Sequence, residues 1–162
     1  LRGTGIGGVD YWKDGRENYD NVRVVYEYPN GIKSSVSSIL SNAYKGYGIR
    51  ILGDKGSIIV TQDQARLFSE NVKKEIGTVD GVTGATKAVH YGEGELIDFS
   101  DLDPLKKDPT YYALVDFLEC IRTGKKPAAD VYTGRDVAIA SHMANIAMET
   151  HQEQVWKPEY SI

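Results

Sequence analysis

The connections between successive strand patterns in this chain are short, and this feature constrains the fold more than any other. Apolar and β-branched runs lie at residues 22–28, 32–40, 47–52 and 57–61, with turn signals between them. Parallel strands need a crossover of roughly a dozen residues or more, whereas hairpin-length connections join antiparallel strands. These patterns therefore predict an antiparallel arrangement with no βαβ unit.

Two helical patterns follow the strands. Asp108 and Pro109 are typical of a helix N-terminus, and Gly124 is typical of a helix C-terminus. Between them, one apolar stripe consists of Leu114, Phe117, Leu118 and Ile121. The second helix is predicted to begin at residues 133–136, an approximate capping box, and to carry two apolar faces. Strands first and helices later predict an α+β fold: an open, mainly antiparallel β-sheet with helices packed on one face.

Two segments are predicted to be loops because glycine is frequent in them and apolar anchors are few. Residues 1–20 are predicted to form an N-terminal loop that leads into the first strand. Residues 77–95 are predicted to form a mobile loop. A loop as long as the second can be functional, although a simple connection is the commoner case.

Composition excludes several classes of protein. The formal net charge is −4, from 19 basic and 23 acidic residues, which argues against nucleic-acid binding. The single cysteine, Cys120, excludes an intramolecular disulfide and a thiolate zinc cluster. The three histidines are too far apart in sequence for a metal-ligand spacing, so no metal site is predicted. No apolar stretch approaches the length of a membrane span.

The glycine-rich run at residues 3–8 is similar in composition to a dinucleotide-binding fingerprint. Such a fingerprint needs a preceding strand and a following helix whose N-terminus faces the pyrophosphate. Only two residues precede this run, and residues 9–21 have no helical stripe. The chain is therefore predicted to contain no cofactor-binding residue.

A dense polar segment with an aromatic ring supplies the main candidates for substrate binding. Trp12, Lys13 and Arg16 lie in this segment, where polar groups beside an aromatic surface could bind a sugar or polyol. His90, in the glycine-rich loop, is a fourth candidate because it could face a cleft. The alternatives are a solvated loop with internal salt bridges and a simple surface histidine. No catalytic residue is predicted.

Several motifs resemble those of the Gfo/Idh/MocA-type oxidoreductases. Residues 20–31 and the hairpin at 53–58 (GDKGSI) are similar to two family segments. The strongest similarity lies at residues 117–127 (FLECIRTGKKP), 133–135 (TGR) and 142–147 (HMANIA). Each motif is moderately specific, and together they occur in the family's order over most of residues 20–157.

The resemblance implies that residues 1–162 form a single C-terminal domain, with the open-sheet fold of dihydrodipicolinate-reductase-like C-terminal domains. In this family an N-terminal Rossmann domain holds NAD or NADP and carries a Glu-Lys-Pro motif, and an Asp-x-x-x-His motif supplies further catalytic groups. Neither motif is found in this chain, so no catalytic residue is carried over. The resemblance implies a fragment that is inactive without its own Rossmann domain.

The function implied is that of the substrate-binding and oligomerisation domain of an NAD(P)-dependent oxidoreductase acting on a sugar, inositol or related polyol. A homo-oligomer is expected through the sheet face, where Tyr26, Tyr28, Tyr44 and Tyr47 suit an interface. Two alternatives stay open: a free-standing carbohydrate-binding or self-association module, and part of an NAD-dependent glycosidase. The compartment, cytoplasmic or periplasmic in a bacterial-type cell, is left undetermined.

Overall fold

The computed structural model describes residues 1–44, 46–103 and 105–161, which divide into two compact units. The first unit contains Leu1–Ala43 and the chain from Asp108 onward, and the second contains Tyr44–Lys107. The strands are β1 (Arg2–Gly8), β2 (Asn21–Glu27), β3 (Lys33–Ile39), β4 (Gly48–Leu52), β5 (Gly56–Thr61), β6 (Ala65–Ser69), β7 (Lys74–Val79), β8 (Val82–Val89), β9 (Glu95–Leu96) and β10 (Gln154–Val155). The helices are α1 (Pro109–Thr123), α2 (Val131–Thr150) and a 3₁₀ turn at Pro158–Tyr160.

The first unit is built on an antiparallel sheet with the strand order β10-β1-β2-β3. The second unit has an antiparallel sheet, β4-β5-β6-β9, and a separate hairpin, β7-β8. All of these pairings are antiparallel and α2 packs on β1, so the predicted α+β class is confirmed.

The structure corrects the predicted N-terminal loop, because Arg2–Gly8 form β1. The glycines alternate along this strand, so that Gly3, Gly5 and Gly7 share the face that meets α2. A Cβ at Gly7 would lie 2.7 Å from the Met148 sulfur, and one at Gly5 would lie 3.2 Å from Met148 Cγ. The missing side chains form a glycine stripe (Gly3, Gly5 and Gly7) that allows α2 to approach β1 closely.

The core of the first unit lies between this sheet and α2. Val24, Ala144 and Met148 are buried together, and Tyr19 packs against them. The Tyr26 hydroxyl donates a hydrogen bond of 2.8 Å to the Ala140 carbonyl, and burial raises the pKa of Tyr26. Tyr26 therefore faces the helix instead of the oligomer interface for which it was a candidate.

Both predicted helices are present, with one correction at a terminus. Asp108 caps α1 by accepting the Thr110 N–H at 2.8 Å, and Gly124 ends it in the left-handed conformation, φ 71°. Helix α2 begins at Val131, before the predicted start, because Asp130 is its cap and accepts the Thr133 N–H at 2.9 Å. The sequence 133–136 lies within the first turns and is not the cap.

The predicted mobile loop at residues 77–95 is also corrected. Lys74–Val79 and Val82–Val89 pair as a hairpin around Asp80 and Gly81, whose φ angles are 50° and 81°. Two consecutive residues with positive φ are typical of a type I′ turn, which matches the twist of the flanking strands. The predicted β4-β5 hairpin is confirmed, with the Gly53 N–H bonded to the Gly56 carbonyl at 3.0 Å.

None of the helices among the described residues is both long and apolar enough to cross a membrane.

Candidate functional site

The loop between β1 and β2 is held by one buried carboxylate. Asp20 accepts the backbone N–H groups of Asp10, Tyr11 and Trp12 at 2.9, 3.0 and 2.8 Å, and only 2% of its surface is exposed. These bonds, the one from Trp12 foremost, lower the pKa of Asp20. Asp20 is therefore an anchor for the loop and not a candidate for proton transfer.

The loop brings two of the predicted substrate residues into contact. The Arg16 guanidinium lies 5.0 Å from the centre of the Trp12 ring, within range of a cation–π interaction. Arg16 also donates to both carboxylate oxygens of Asp14, at 2.9 and 2.6 Å. This pairing lowers the pKa of Asp14 to about 2. Trp12 itself is 40% exposed and presents an aromatic surface beside the ion pair.

Lys13, the third candidate on this loop, donates from Nζ to the Val9 carbonyl at 2.8 Å. The cationic groups of the loop are thus both engaged by the protein itself, Arg16 with Asp14 and Lys13 with Val9. The internal ion pair that was the alternative explanation of this segment is present. Binding of a substrate by either cation would require exchange of these partners.

His90 belongs to the second unit, whereas the other three candidates belong to the first. It follows β8, is exposed, and its Nε2 lies 3.0 Å from the Glu75 carboxylate. Its role in substrate binding stays a prediction, as do those of Trp12, Lys13 and Arg16.

A cleft in the first unit was missed by the sequence reasoning. It has a volume of about 300 Å³ and lies between the end of the β1–β2 loop and the C-terminal half of α2. Its lining consists of Glu17, Asn18, Tyr19, Val22, Asn145, Met148 and Glu149. No local sequence signal identifies this cleft, because only the packing of α2 on β1 brings its two sides together.

A second cleft of about 460 Å³ lies beside the N-terminal half of α2. Tyr28 and Trp156 contribute aromatic surface to it, and Val137 and Ala140 contribute aliphatic surface. Its one carboxylate, Asp136, is already paired with Arg135 at 2.7 Å. This cleft is accordingly poorer in available polar groups than the first.

The glycine run at the start of this chain does not have the geometry of a dinucleotide-binding loop. The glycine run at residues 3–8 lies inside an antiparallel strand, and the space beside Gly5 and Gly7 is filled by Met148. A pyrophosphate needs backbone N–H groups that point outward from a loop at a helix N-terminus, whereas this run is an extended strand that pairs with β2 along its whole length. Among the described residues, moreover, no group of three or more potential ligands is placed to hold a metal ion.

Comparison with known proteins identifies the family. The model of an oxidoreductase family's C-terminal α/β domain, the Gfo/Idh/MocA type, matches residues 7–158. No curated protein matches the chain. A solved structure from Thermotoga maritima, a protein provisionally described as an oxidoreductase, shares the fold with a TM-score of 0.63 at 16% identity. The match covers 94% of this chain but only 39% of that one. The chain belongs to the Gfo/Idh/MocA oxidoreductase family and corresponds to its C-terminal domain.

Proposed function

We propose that this chain is the substrate-binding and oligomerisation domain of an NAD(P)-dependent oxidoreductase that acts on a sugar, inositol or related polyol. The observation that carries the proposal is the family match, which covers residues 7–158 with a C-terminal domain. The unsuitability of the glycine stripe for a pyrophosphate supports a division of labour, in which NAD or NADP is held by an N-terminal Rossmann domain. In this arrangement the hydride passes between the substrate and the nicotinamide, and no residue of this chain is assigned a catalytic role.

The contribution of this domain would be to bind and orient the substrate. Trp12 offers a partly exposed ring against which the C–H face of a sugar can pack, and Arg16 holds a guanidinium beside it. Lys13 lies on the same loop, and His90 is the candidate from the second unit. Asp20 would keep the loop in one conformation, which lowers the entropy cost of binding.

A second copy of the chain is the proposed partner of the exposed sheet faces. On the outer face of the first sheet, Ile6, Val25 and Val155 are 68%, 47% and 58% exposed. In the second unit, Ile49 and Ile51 of β4 are 43% and 56% exposed. Exposed apolar surface of this kind is typical of protein interfaces, and Tyr28, Tyr44 and Tyr47 are exposed as well.

The test is an assay of the full-length protein with NAD⁺ and NADP⁺ against a panel of sugars, inositols and linear polyols. We expect substrate-dependent formation of reduced nicotinamide, and a homo-oligomer by light scattering. If the protein instead cleaves glycosides and needs the cofactor only in catalytic amounts, it is a glycosidase and the dehydrogenase proposal is wrong. If the full-length protein has no cofactor domain and still binds carbohydrate, it is a free-standing carbohydrate-binding module.

A further inference from the structure

The cleft between residues 17–19 and α2 differs from the neighbouring loop in its available hydrogen-bonding groups. In the loop, Asp14 and Arg16 bond to each other and Asp20 binds three backbone N–H groups. In the cleft, none of the contacts found among the described residues engages the side chains of Glu17, Asn145 or Glu149. Polar groups that are not engaged by the protein are available to a ligand.

The volume of the cleft is large enough for one small molecule. Its volume of about 300 Å³ is at the lower end of the range of small-molecule sites, which begins at roughly 300 Å³. Val22 and Met148 supply apolar surface, and the ring of Tyr19 lies beside them. Carboxylates and amides complete the lining, so an apolar surface is combined with several hydrogen-bonding groups.

The chemistry of the lining selects among ligands. The carboxylates of Glu17 and Glu149 accept hydrogen bonds, and the amides of Asn18 and Asn145 both donate and accept. Hydroxyl groups, which also donate and accept, match this set well. The residues described as lining it include no lysine, arginine or histidine, so a ligand that carries a carboxylate or phosphate would meet like charge without compensation.

We propose that this cleft binds the substrate, and that it selects a neutral polyhydroxylated molecule of monosaccharide size over the corresponding sugar acid or sugar phosphate. The inference rests on the proposed function for the identity of the ligand as the substrate. It places the substrate in the cleft formed with Asn145 and Glu149 of α2 instead of against Arg16 and Lys13, whose cationic groups are engaged by the protein, and it gives a basis for charge selectivity.

The experiment compares neutral and acidic probes of the same size on the full-length protein. The probes are D-glucose and myo-inositol against D-glucuronate and glucose 6-phosphate, with binding measured by calorimetry. We expect saturable binding of a neutral probe and at least about tenfold weaker binding of the acidic ones. The double variant Glu17→Gln/Glu149→Gln keeps the size of both side chains. In this variant the affinity for the acidic probes should rise and remove most of the roughly tenfold difference. Asn145→Leu should weaken every probe.

Glu159→Gln is the matched control, because it removes one exposed carboxylate that does not line the cleft. The control should leave the ratio of neutral to acidic binding unchanged, and unaltered melting temperatures should show that all variants fold. Equal or stronger binding of the acidic probes by the unmodified protein would overturn the proposal. So would the absence of saturable binding by both neutral probes, or a ratio that does not respond to the double variant.

The two proposals fail separately. If the full-length protein oxidises polyols but the Glu17/Glu149 variant keeps the wild-type selectivity, the cleft assignment is wrong and the dehydrogenase stands. If neutral probes bind with a selectivity that depends on these glutamates but no polyol is oxidised, the cleft assignment stands and the enzymatic proposal is wrong.

Discussion

The two helices of the first unit begin in the same way but differ in their packing. Asp108 and Asp130 each cap a helix by accepting a backbone N–H of its first turn, from Thr110 and Thr133 respectively. Yet the four stripe residues of α1 are between 46% and 65% exposed, whereas Ala144 and Ala147 of α2 are 6% and 0% exposed. The helix with the larger apolar side chains is the one that stays uncovered.

The difference lies in the surface that each helix meets. Helix α2 presents small alanines and flexible methionines, and β1 presents the glycine stripe, so backbone and side chains fit closely. An apolar stripe alone, as on α1, does not determine burial, because burial needs a complementary surface. The following substitutions test this contrast, from the largest expected effect to the smallest.

Ala144→Arg places a charge and extra volume in the core of the first unit, where Ala144 contacts Val24 and Met148. An unpaired buried charge is costly, so we expect the free energy of unfolding to fall by about 3 kcal/mol or more. Denaturant unfolding followed by circular dichroism measures this. An unchanged unfolding curve would show that the position is not buried.

Gly7→Val tests the glycine stripe. The new Cβ would lie 2.7 Å from the Met148 sulfur and 2.8 Å from the Tyr19 ring, so the helix or the ring must move. Overpacking of this kind costs about 1–3 kcal/mol. Thr4→Val, on the exposed face of the same strand, is the control and should leave the free energy of unfolding nearly unchanged. Equal effects of the two substitutions would contradict the role of the stripe.

Asp130→Ala removes the cap of the packed helix, and Asp108→Ala removes the cap of the uncovered one. We expect the first to lower the melting temperature more, because α2 carries most of the core contacts and its first turn is tied to the folded state. Differential scanning calorimetry of both variants measures the two melting temperatures. A larger loss for Asp108→Ala would reverse the assignment of α2 as the stabilising helix.

The Asp130 cap also predicts a pH dependence. Bonding to Lys126, followed by the Thr133 N–H, lowers the pKa of Asp130 from its ordinary 3.8 to about 2. A carboxylate whose pKa is lower in the folded than in the unfolded chain stabilises the folded chain at pH values above its unfolded pKa. The contribution of Asp130 is therefore present above pH 3.8 and is lost as the pH falls toward 2. The loss of stability in that window should be smaller in Asp130→Ala than in the unmodified chain. Parallel curves for the two proteins would contradict the assignment.

Leu118→Ser on the α1 stripe should have the smallest effect. Because Leu118 is 46% exposed, we expect the free energy of unfolding of this chain to change by no more than about 0.5 kcal/mol. Chemical denaturation alongside the Ala144→Arg variant gives the comparison directly. A loss similar to that of a core substitution would show that the stripe is packed after all.

The sequence contained enough information for the antiparallel pairing, for the α1 cap at Asp108 and for the β4-β5 hairpin, because each depends on residues close together in the chain. The β7-β8 hairpin was missed although Asp80-Gly81 is a strong turn signal, since the many polar residues and glycines around it obscured the strand pattern. In β1, glycine was interpreted as flexibility, and its actual function becomes visible only with Met148 beside it.

The candidate site was less predictable than the fold. Trp12 and Arg16 were identified because they are neighbours in a polar segment, and the structure does place them in contact. That Arg16 is engaged by Asp14, and that Asp20 anchors the loop, are properties of side-chain geometry that composition does not reveal. Asn145 and Glu149 join Glu17 only after α2 has docked on the glycine stripe.

The most direct test of the account is a calorimetric titration of NAD⁺ and NADP⁺ into this chain, with its folding verified by circular dichroism. Since Met148 fills the space beside Gly5 and Gly7 and the glycine run is a sheet strand paired with β2, we expect no saturable binding of either nucleotide. The full-length protein, titrated in the same way, should bind one of them. Micromolar binding of a nucleotide by the chain itself would contradict the conclusion that the glycine stripe serves to pack a helix.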